Sequence, residues 1–405
     1  MLKIRNFLVI IHLLIVFSFS NQIPTILVSF DGMRYDYLEK TSTPNFDTLI
    51  KSGVKAESLI PIFPSLTFPN HYTIATGTYA GRHHITGNQY FSKIFGEQYS
   101  MYNRKTVEDP KFYKGEPIWV TAEKQGVKTA SYFWVGSEAA INGIHPSIYK
   151  KYDGKVPFET RVDSVISWLL LPKEIRPKLL MLYFSEPDKS GHIYGPDSKE
   201  VINAIKQSDL MLGRLITGLK TNKIIANVVV VSDHGMRKIS KDRVIILDDY
   251  LPSISQLIVY GEGPLMQLDS PTIDISKYLN NIPNLSVYRK EEIPQRYNFS
   301  NQNTGDYLVV ADPGWLLFTE ELFNKTTMLN IHGMHGWDPL DKKMHGFFIA
   351  NGPSIKKHTT INSFENIYIN GLISKLIGIT PYSSEFYDDG AIINPEIINS
   401  ILLSK

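Results

Sequence analysis

Short, unbroken apolar runs that stop abruptly at a polar or charged residue set the pattern of this chain. TILVSF (25–30) stops at Asp31, TASYFW (129–134) runs toward Glu138, KLLMLYF (178–184) leads to Asp188, and NVVVVS (227–232) stops at Asp233. Runs without polar alternation predict strands buried on both faces, as in a parallel sheet. Segments of helical period lie between them. Residues 44–52 put Phe46, Leu49 and Ile50 on one face and end at Gly53, and residues 198–220 repeat apolar side chains at helical spacing. Together they predict an α/β fold, a mixed and mostly parallel sheet flanked by helices. Ligands of such sheets collect at the carboxyl ends of the strands, where these acidic residues fall. From residue 245 to about 330 the pattern breaks into Pro-, Asn- and Tyr-rich segments, which predicts an inserted lobe.

Composition narrows the class. With 405 residues, 43% hydrophobic and 20% charged, the chain can bury a large core, and residues 21–405 are expected to form one large domain carrying the lobe. The formal net charge is +2 and no long basic run occurs, which excludes a footprint for nucleic-acid duplexes. Lys3 and Arg5, the apolar FLVIIHLLIVFSF, and Ser18 and Ser20 before Asn21 read as a cleaved signal peptide over residues 1–20. The alternative is an N-terminal membrane anchor, but the run falls short of the ~20 residues that span a bilayer. Asn284, Asn298 and Asn324 each begin an N-x-Ser/Thr sequon in the lobe region, which suits a secreted, extracellular glycoprotein. There is no cysteine, so bound metal is a candidate source of the stability that disulfides supply elsewhere.

Four fragments call for a common explanation. SFDGMR offers Asp31, EPDKSGHIYGP offers Asp188 and His192, VSDHGM offers Asp233 and His234, and MHGWD offers His335. Singly, each has a structural reading: a strand-end Asp caps a helix, Asp-Gly makes a turn, and a lone His packs in a core. Jointly, mixed Asp and His ligands suit zinc or a similar borderline metal better than calcium or magnesium. Six ligands exceed one tetrahedral zinc and suit two catalytic ions with open positions. His332, three residues before His335 in a similar His-Gly context, is its rival. A fifth fragment, PSLTFPNHYTIATG (64–77), sets Thr67 before Phe-Pro-Asn-His, a poor recipe for a helix interior or a regular strand.

In their order, FDGMRYDYL, PSLTFPNHYTIATG, GNQYF, EPDKSGHIYGP, SDHGM and HGWD resemble the ectonucleotide pyrophosphatase/phosphodiesterase family of the alkaline phosphatase superfamily, over about Pro24 to Tyr382. The resemblance implies an alkaline-phosphatase-like fold and a two-zinc phosphodiesterase whose nucleophile is Thr67. It implies one zinc on Asp31, Thr67, Asp233 and His234 and the other on Asp188, His192 and His335. It also implies that Asn88 binds a phosphoryl oxygen, that Phe68 and Tyr152 sandwich a nucleobase, and that Trp134 and Glu138 line the pocket; the family often has Asp where this chain has Glu138. The expected substrates are extracellular nucleotides, for example ATP cleaved to AMP and pyrophosphate, or dinucleotides, through a threonyl intermediate. No obligate protein partner is expected. Relatives that cleave choline phosphodiesters or lysophospholipids share the zinc set, so that activity is the alternative. The sequence departs from animal members in having no cysteine, and no somatomedin-like or nuclease-like domain is expected in it.

Overall fold

The computed structural model describes residues 23–261, 263–325 and 332–404; the expected signal segment, 1–20, lies outside them. The apolar runs become neighbouring strands of one eight-stranded sheet. Its strands in chain order are β1 (Thr25–Phe30), β2 (Val54–Ala56), β3 (Thr129–Tyr132), β4 (Ile148–Lys150), β5 (Leu179–Phe184), β6 (Asn227–Val231), β7 (Phe348–Asn351) and β8 (Thr359–Ile361). Across the sheet they run β8-β2-β7-β6-β1-β5-β3-β4. β1 lies between β5 and β6, parallel to both, with Val28 opposite Leu182 and Val230. β7 runs antiparallel to both its neighbours, β6 and β2.

Both faces are covered, which is why the central strands show no polar alternation. Leu27, Met181, Val229 and Val231 pack toward helices α2 (Thr67–Thr76) and α6 (Ile369–Ile377). Ile26, Val28, Leu180, Leu182 and Val230 point the other way, onto α1 (Pro44–Lys51), α3 (Phe158–Leu169) and α5 (Lys199–Thr221). A further helix, α4 (Asp188–Tyr194), follows β5. Each fully buried aliphatic side chain contributes about 1.5–3 kcal/mol relative to exposure.

The lobe is more regular than its sequence suggests. Ile258–Tyr260, Leu265–Asp269, Tyr307–Ala311 and Leu285–Arg289 form, in that spatial order, a separate antiparallel sheet. It has its own core, including Met266, Leu268, Ile275, Leu279, Val309 and Leu317. Strands of three to five residues are too short for a period to emerge from Pro- and Asn-rich surroundings. Val244–Ile246 pairs in parallel with Leu316–Phe318 and ties the two ends of the lobe together. Among the described residues, no helix is long and apolar enough to cross a membrane.

α1 starts at a proline, and the amides of its first turn that lack an intrahelical acceptor find a partner on α5. The Asn45 and Phe46 backbone N–H groups donate to Asp209 Oδ1 at 3.0 and 2.9 Å, and Asn45 Nδ2 donates to Oδ2 at 2.8 Å. Asp209 is 3% exposed. Asp209→Ala therefore strands buried donors and is expected to cost about 1–3 kcal/mol in urea unfolding. Removing Asp163, whose pair with Arg214 is exposed, is expected to cost at most about 1 kcal/mol. Equal costs would show that the cap adds nothing.

Candidate active site

The order β6-β1-β5 fixes the site, because each of these strands hands over an acidic residue at its carboxyl end. Asp31 follows β1, Asp233 and His234 follow β6 by one residue, and Asp188 opens α4 beyond β5. Backbone bonds lock the three together: Asp188 N–H donates to the Asp31 carbonyl at 3.0 Å, and Gly32 N–H donates to Asp233 Oδ1 at 3.1 Å. Gly32 has a φ of +65°, and a Cβ there would lie 2.7 Å from Asp188 Cβ, so only glycine keeps Asp188 this close. His234 Nε2 lies 3.0 Å from Asp233 Oδ2 and 3.4 Å from Asp31 Oδ1. His192 and His335 bring their Nε2 atoms within 3.4 and 3.5 Å of Asp188 Oδ1 and 3.1 Å of each other. The His335 ring stacks on His234 with centroids 3.5 Å apart. His332 is exposed and supports His192 only through its backbone N–H, 2.7 Å from the His192 carbonyl.

Every imidazole in this cluster is oriented by the backbone. Nδ1 of His234, His192 and His335 donates to the carbonyls of Gly235, Gly333 and Ser65 at 2.8, 2.9 and 2.8 Å. That fixes the tautomers and turns three Nε2 lone pairs inward. Asp31 Oδ1, Asp188 Oδ1 and Asp233 Oδ2 are buried and have no hydrogen-bond partner. Burial, then Asp233 and Asp188, push the Asp31 carboxyl well above the usual carboxylate range. Burial beside His234 and His192 holds the His335 imidazole well below its usual value. Asp31 and His335 thus lean toward their neutral forms, whereas Asp233 and His234, although buried, hold each other toward their charged forms; a bound dication would favour the ionised carboxylate and the neutral imidazole throughout. Three lone pairs and three bare carboxylate oxygens fit a zinc-like ion. Geometry groups Asp188, His192 and His335 as one donor set, and Asp31 with either Asp188 and His234 or His71 and Asp233 as others.

Thr67 is the first residue of α2 and lies 8% exposed, with Oγ1 3.2 Å from His234 Nε2. The peculiar residues around it are its scaffold. Fully buried Asn70 accepts from Ile62 N–H at 2.8 Å through Oδ1 and donates from Nδ2 to the Pro64 and Leu66 carbonyls, both at 2.9 Å. Ser65 Oγ donates to the Trp337 carbonyl at 2.8 Å and accepts from Gly336 N–H at 3.1 Å, coupling the loop before Thr67 to the loop after His335.

Sequence reasoning missed two residues here. His71 Nδ1 lies 3.0 Å from the Thr67 carbonyl and 3.3 Å from Asp233 Oδ2, while its Nε2 meets Ser29 Oγ at 2.8 Å. The Tyr183 O–H donates to Asp31 Oδ2 at 2.6 Å. His71 stands four residues after Thr67, a spacing that shares a helix face and was the available signal. Tyr183 pairs in register with Ser29, which only the sheet reveals.

Toward solvent, Asn88 Oδ1 accepts from Phe68 N–H at 2.9 Å, leaving the Nδ2 group as a donor. Phe68 is half-buried against Tyr99 (6.2 Å between centroids), and Tyr152, 43% exposed, leans on Phe133 (5.1 Å) and Tyr183 (6.3 Å). Trp134 is 1% exposed and sits behind α2, its indole N–H donating to the His71 carbonyl at 3.1 Å. Glu138 is buried and ion-paired with Arg104, which also reaches Glu108 at 3.3 Å. Of the sequon asparagines, Asn298 and Asn324 are exposed and Asn284 is half-buried.

A mostly parallel sheet delivering Asp and His side chains to one buried hydroxyl defines an alkaline-phosphatase-like fold. The sequence profile described as Type I phosphodiesterase / nucleotide pyrophosphatase matches residues 25–338. The chain belongs to the ectonucleotide pyrophosphatase/phosphodiesterase family. It is 37% identical over 377 residues to human family member 1, covering 88% of this chain and 40% of that protein. It is 36% identical to venom phosphodiesterase 2 of Crotalus adamanteus, covering 89% and 46%. The chain thus spans less than half the length of these relatives. Murine ectonucleotide pyrophosphatase/phosphodiesterase 5 superposes with a TM-score of 0.83 at 34% identity, covering 88% of this chain and 95% of that one. An inactive variant of that murine protein, with a threonine replaced by alanine and AMP bound, superposes equally well, with a TM-score of 0.83 at 33% identity over 89% of this chain and 96% of that one.

The Asn70 clamp has a measurable consequence. Asn70→Ala frees the loop before Thr67 and strands buried carbonyls, so unfolding free energy is expected to fall by about 1–3 kcal/mol. kcat is expected to fall at least about tenfold with KM and bound metal little changed, since the clamp fixes where the Thr67 hydroxyl sits beside His234. Full kcat in a destabilised variant would restrict Asn70 to a folding role.

Proposed function

We propose that the chain is a secreted phosphodiesterase, released from residues 1–20, that hydrolyses extracellular nucleotide esters with two zinc ions and Thr67 as nucleophile. The observation that carries this reading is the convergence of three backbone-oriented Nε2 atoms and three unpartnered carboxylate oxygens around the Thr67 hydroxyl. Asp31, Thr67, Asp233 and His234 would hold one ion and Asp188, His192 and His335 the other, and the pair would lower the hydroxyl pKa and neutralise the phosphoryl oxygens.

The protein's own groups do the rest. Thr67 Oγ1 attacks phosphorus, the alcohol or phosphate on the far side leaves with the bonding pair, and a threonyl ester forms. Water then displaces Thr67 and returns the free hydroxyl. β-branching restricts the Thr67 χ1, and the Asn70 clamp fixes its backbone, so the oxygen is held for in-line attack. Asn88 Nδ2 donates to a phosphoryl oxygen as charge develops there. Tyr183 and His71 orient Asp31 and Asp233. Phe68 and Tyr152 stack the base, with Glu138 at the pocket edge. Support comes from the murine neighbour that holds AMP and is inactive with a threonine replaced by alanine. Exposed sequons at Asn298 and Asn324 suit glycosylation and secretion.

The purified protein is expected to carry close to two zinc ions, to lose activity to chelators and to regain it with zinc. His335→Ala should lose metal and turnover and His332→Ala neither; an active preparation without transition metal by elemental analysis overturns the mechanism.

Thr67→Ala is expected to lower kcat by several orders of magnitude with zinc retained, and Thr67→Ser to lose part of it. Two successive in-line displacements retain configuration at a chiral phosphorothioate ester. Inversion would remove the threonyl intermediate. Faster cleavage of glycerophosphocholine than of any nucleotide ester would move the substrate class to choline phosphodiesters.

A further inference from the structure

The donors of the site differ in shelter. The side chains of Asp31, Asp233 and His234 are at most 3% exposed, whereas Asp188 is 17% and His192 24% exposed. Asp188 and His192 come from α4, while His335, which completes their set, comes from the loop after the lobe. The contact that holds α4 against that loop lies behind the ligands, at Met236.

Met236 stands two residues after His234 and is fully buried. Its side chain lies against two glycines. A Cβ on Gly191, the residue before His192, would stand 2.9 Å from Met236 Cε. A Cβ on Gly333, two residues before His335, would stand 3.0 Å from Met236 Sδ and 2.3 Å from the Gly191 carbonyl oxygen. The two backbones therefore meet with no side chain between them, and the Met236 thioether packs on both. The Gly333 carbonyl is also the acceptor that orients His192 through Nδ1, at 2.9 Å. Directly after Met236, Arg237–Lys238 pairs antiparallel with Gly333–Met334. The Met236 carbonyl accepts from the Arg34 guanidinium at 2.9 Å, and that group, 4% exposed, is fixed on Asp36 by bonds of 2.6 and 2.9 Å. The Met236 backbone is thus pinned to the loop after β1, and its side chain presses on the segments that carry His192 and His335.

We infer that Met236 is a positioning residue for the ion held by Asp188, His192 and His335. The inference rests on the two-zinc reading and adds to it the dependence of one ion on a residue that is not a ligand. A flexible thioether suits the place, because it follows an irregular surface of bare backbone. Shortening it leaves a gap against Gly191 and Gly333, so the Gly333 carbonyl shifts and His192 turns from its ion. The buried set keeps its geometry: Gly235, whose carbonyl orients His234, is held separately by its N–H on the Met344 carbonyl at 2.8 Å.

The test is zinc bound per chain, by equilibrium dialysis against graded free zinc set by a chelator buffer, for wild type, Met236→Ala and Met236→Leu. Wild type is expected to take up two ions. Met236→Ala should bind the first ion as wild type does and need about tenfold or more free zinc for the second, the scale of losing a residue that supports a ligand. Met236→Leu, close in volume, should stay near wild type. In a His192→Ala background, which leaves only the buried set intact, adding Met236→Ala should not change the affinity for the remaining ion. A fall there shows general loosening, and a second ion bound equally by wild type and Met236→Ala shows no support; either result overturns the inference. If Met236→Ala does not fold, Met236→Val, which is also too short to fill the space beside both glycines, gives the same readings. Wild-type protein that binds fewer than two zinc ions overturns the two-zinc reading itself, and this inference with it.

Discussion

Like charges packed together out of water are the constraint on which the rest of this molecule depends. Asp31, Asp188 and Asp233 share one buried pocket, and the three histidines beside them turn lone pairs, not protons, toward it. Two unit charges 4 Å apart interact by about 4 kcal/mol at an effective dielectric of 20, so rigid neighbours must hold the arrangement while a proton on Asp31 or a bound cation relieves it. The neighbours are the ends of β1, β5 and β6, locked side by side by their ladders and by the Asp188–Asp31 backbone bond. Thr67 is brought to the same point by a separate device, the Asn70 clamp.

The fold was legible in the sequence wherever one physical cause dominated. Burial on both faces leaves an unbroken apolar run, so β1, β5 and β6 announced themselves, and α5 did so through its helical period. The reversed direction of β7 left no mark, because antiparallel and parallel strands of a covered sheet have the same composition. The lobe's antiparallel sheet was hidden by strand length. In the site, Asp31, Asp188, Asp233, His234, His192 and His335 stood out as acids and imidazoles at strand ends, and the structure brings all six together. Tyr183 did not, since its link to Asp31 depends on which strands are neighbours. Trp134, which the family resemblance implies as a pocket residue, is buried behind α2 with its indole N–H donating to the His71 carbonyl.

The donor set and the cleft beside it are built by different parts of the chain. The donor set is built by the sheet and by two loops coupled through Ser65 and Trp337. The cleft, lined by Leu66 and Met334, borrows a wall with Tyr260 and Gln267 from the lobe, whose core is distinct from the two cores of the sheet. The division is incomplete: Leu265 and Val310 of the lobe pack with Ile62 and Phe63 before Thr67, and the Trp337 indole N–H donates to the Trp315 carbonyl, so the lobe also braces the loops that carry Thr67 and His335.

The spread of the donors along the chain, from Asp31 to His335, has a consequence for assembly. His335 follows the lobe, so during synthesis three of the acids and two of the imidazoles exist long before the last donor emerges. Long-range closure of this kind is slow, and the half-built cluster holds its charges uncompensated until the end. An ion that recognises only the finished arrangement adds stability by mass action, about 4 kcal/mol at a thousandfold excess over Kd. In a chain without cysteine, an ion held by Asp188, His192 and His335 would tie the middle of the chain to its last third.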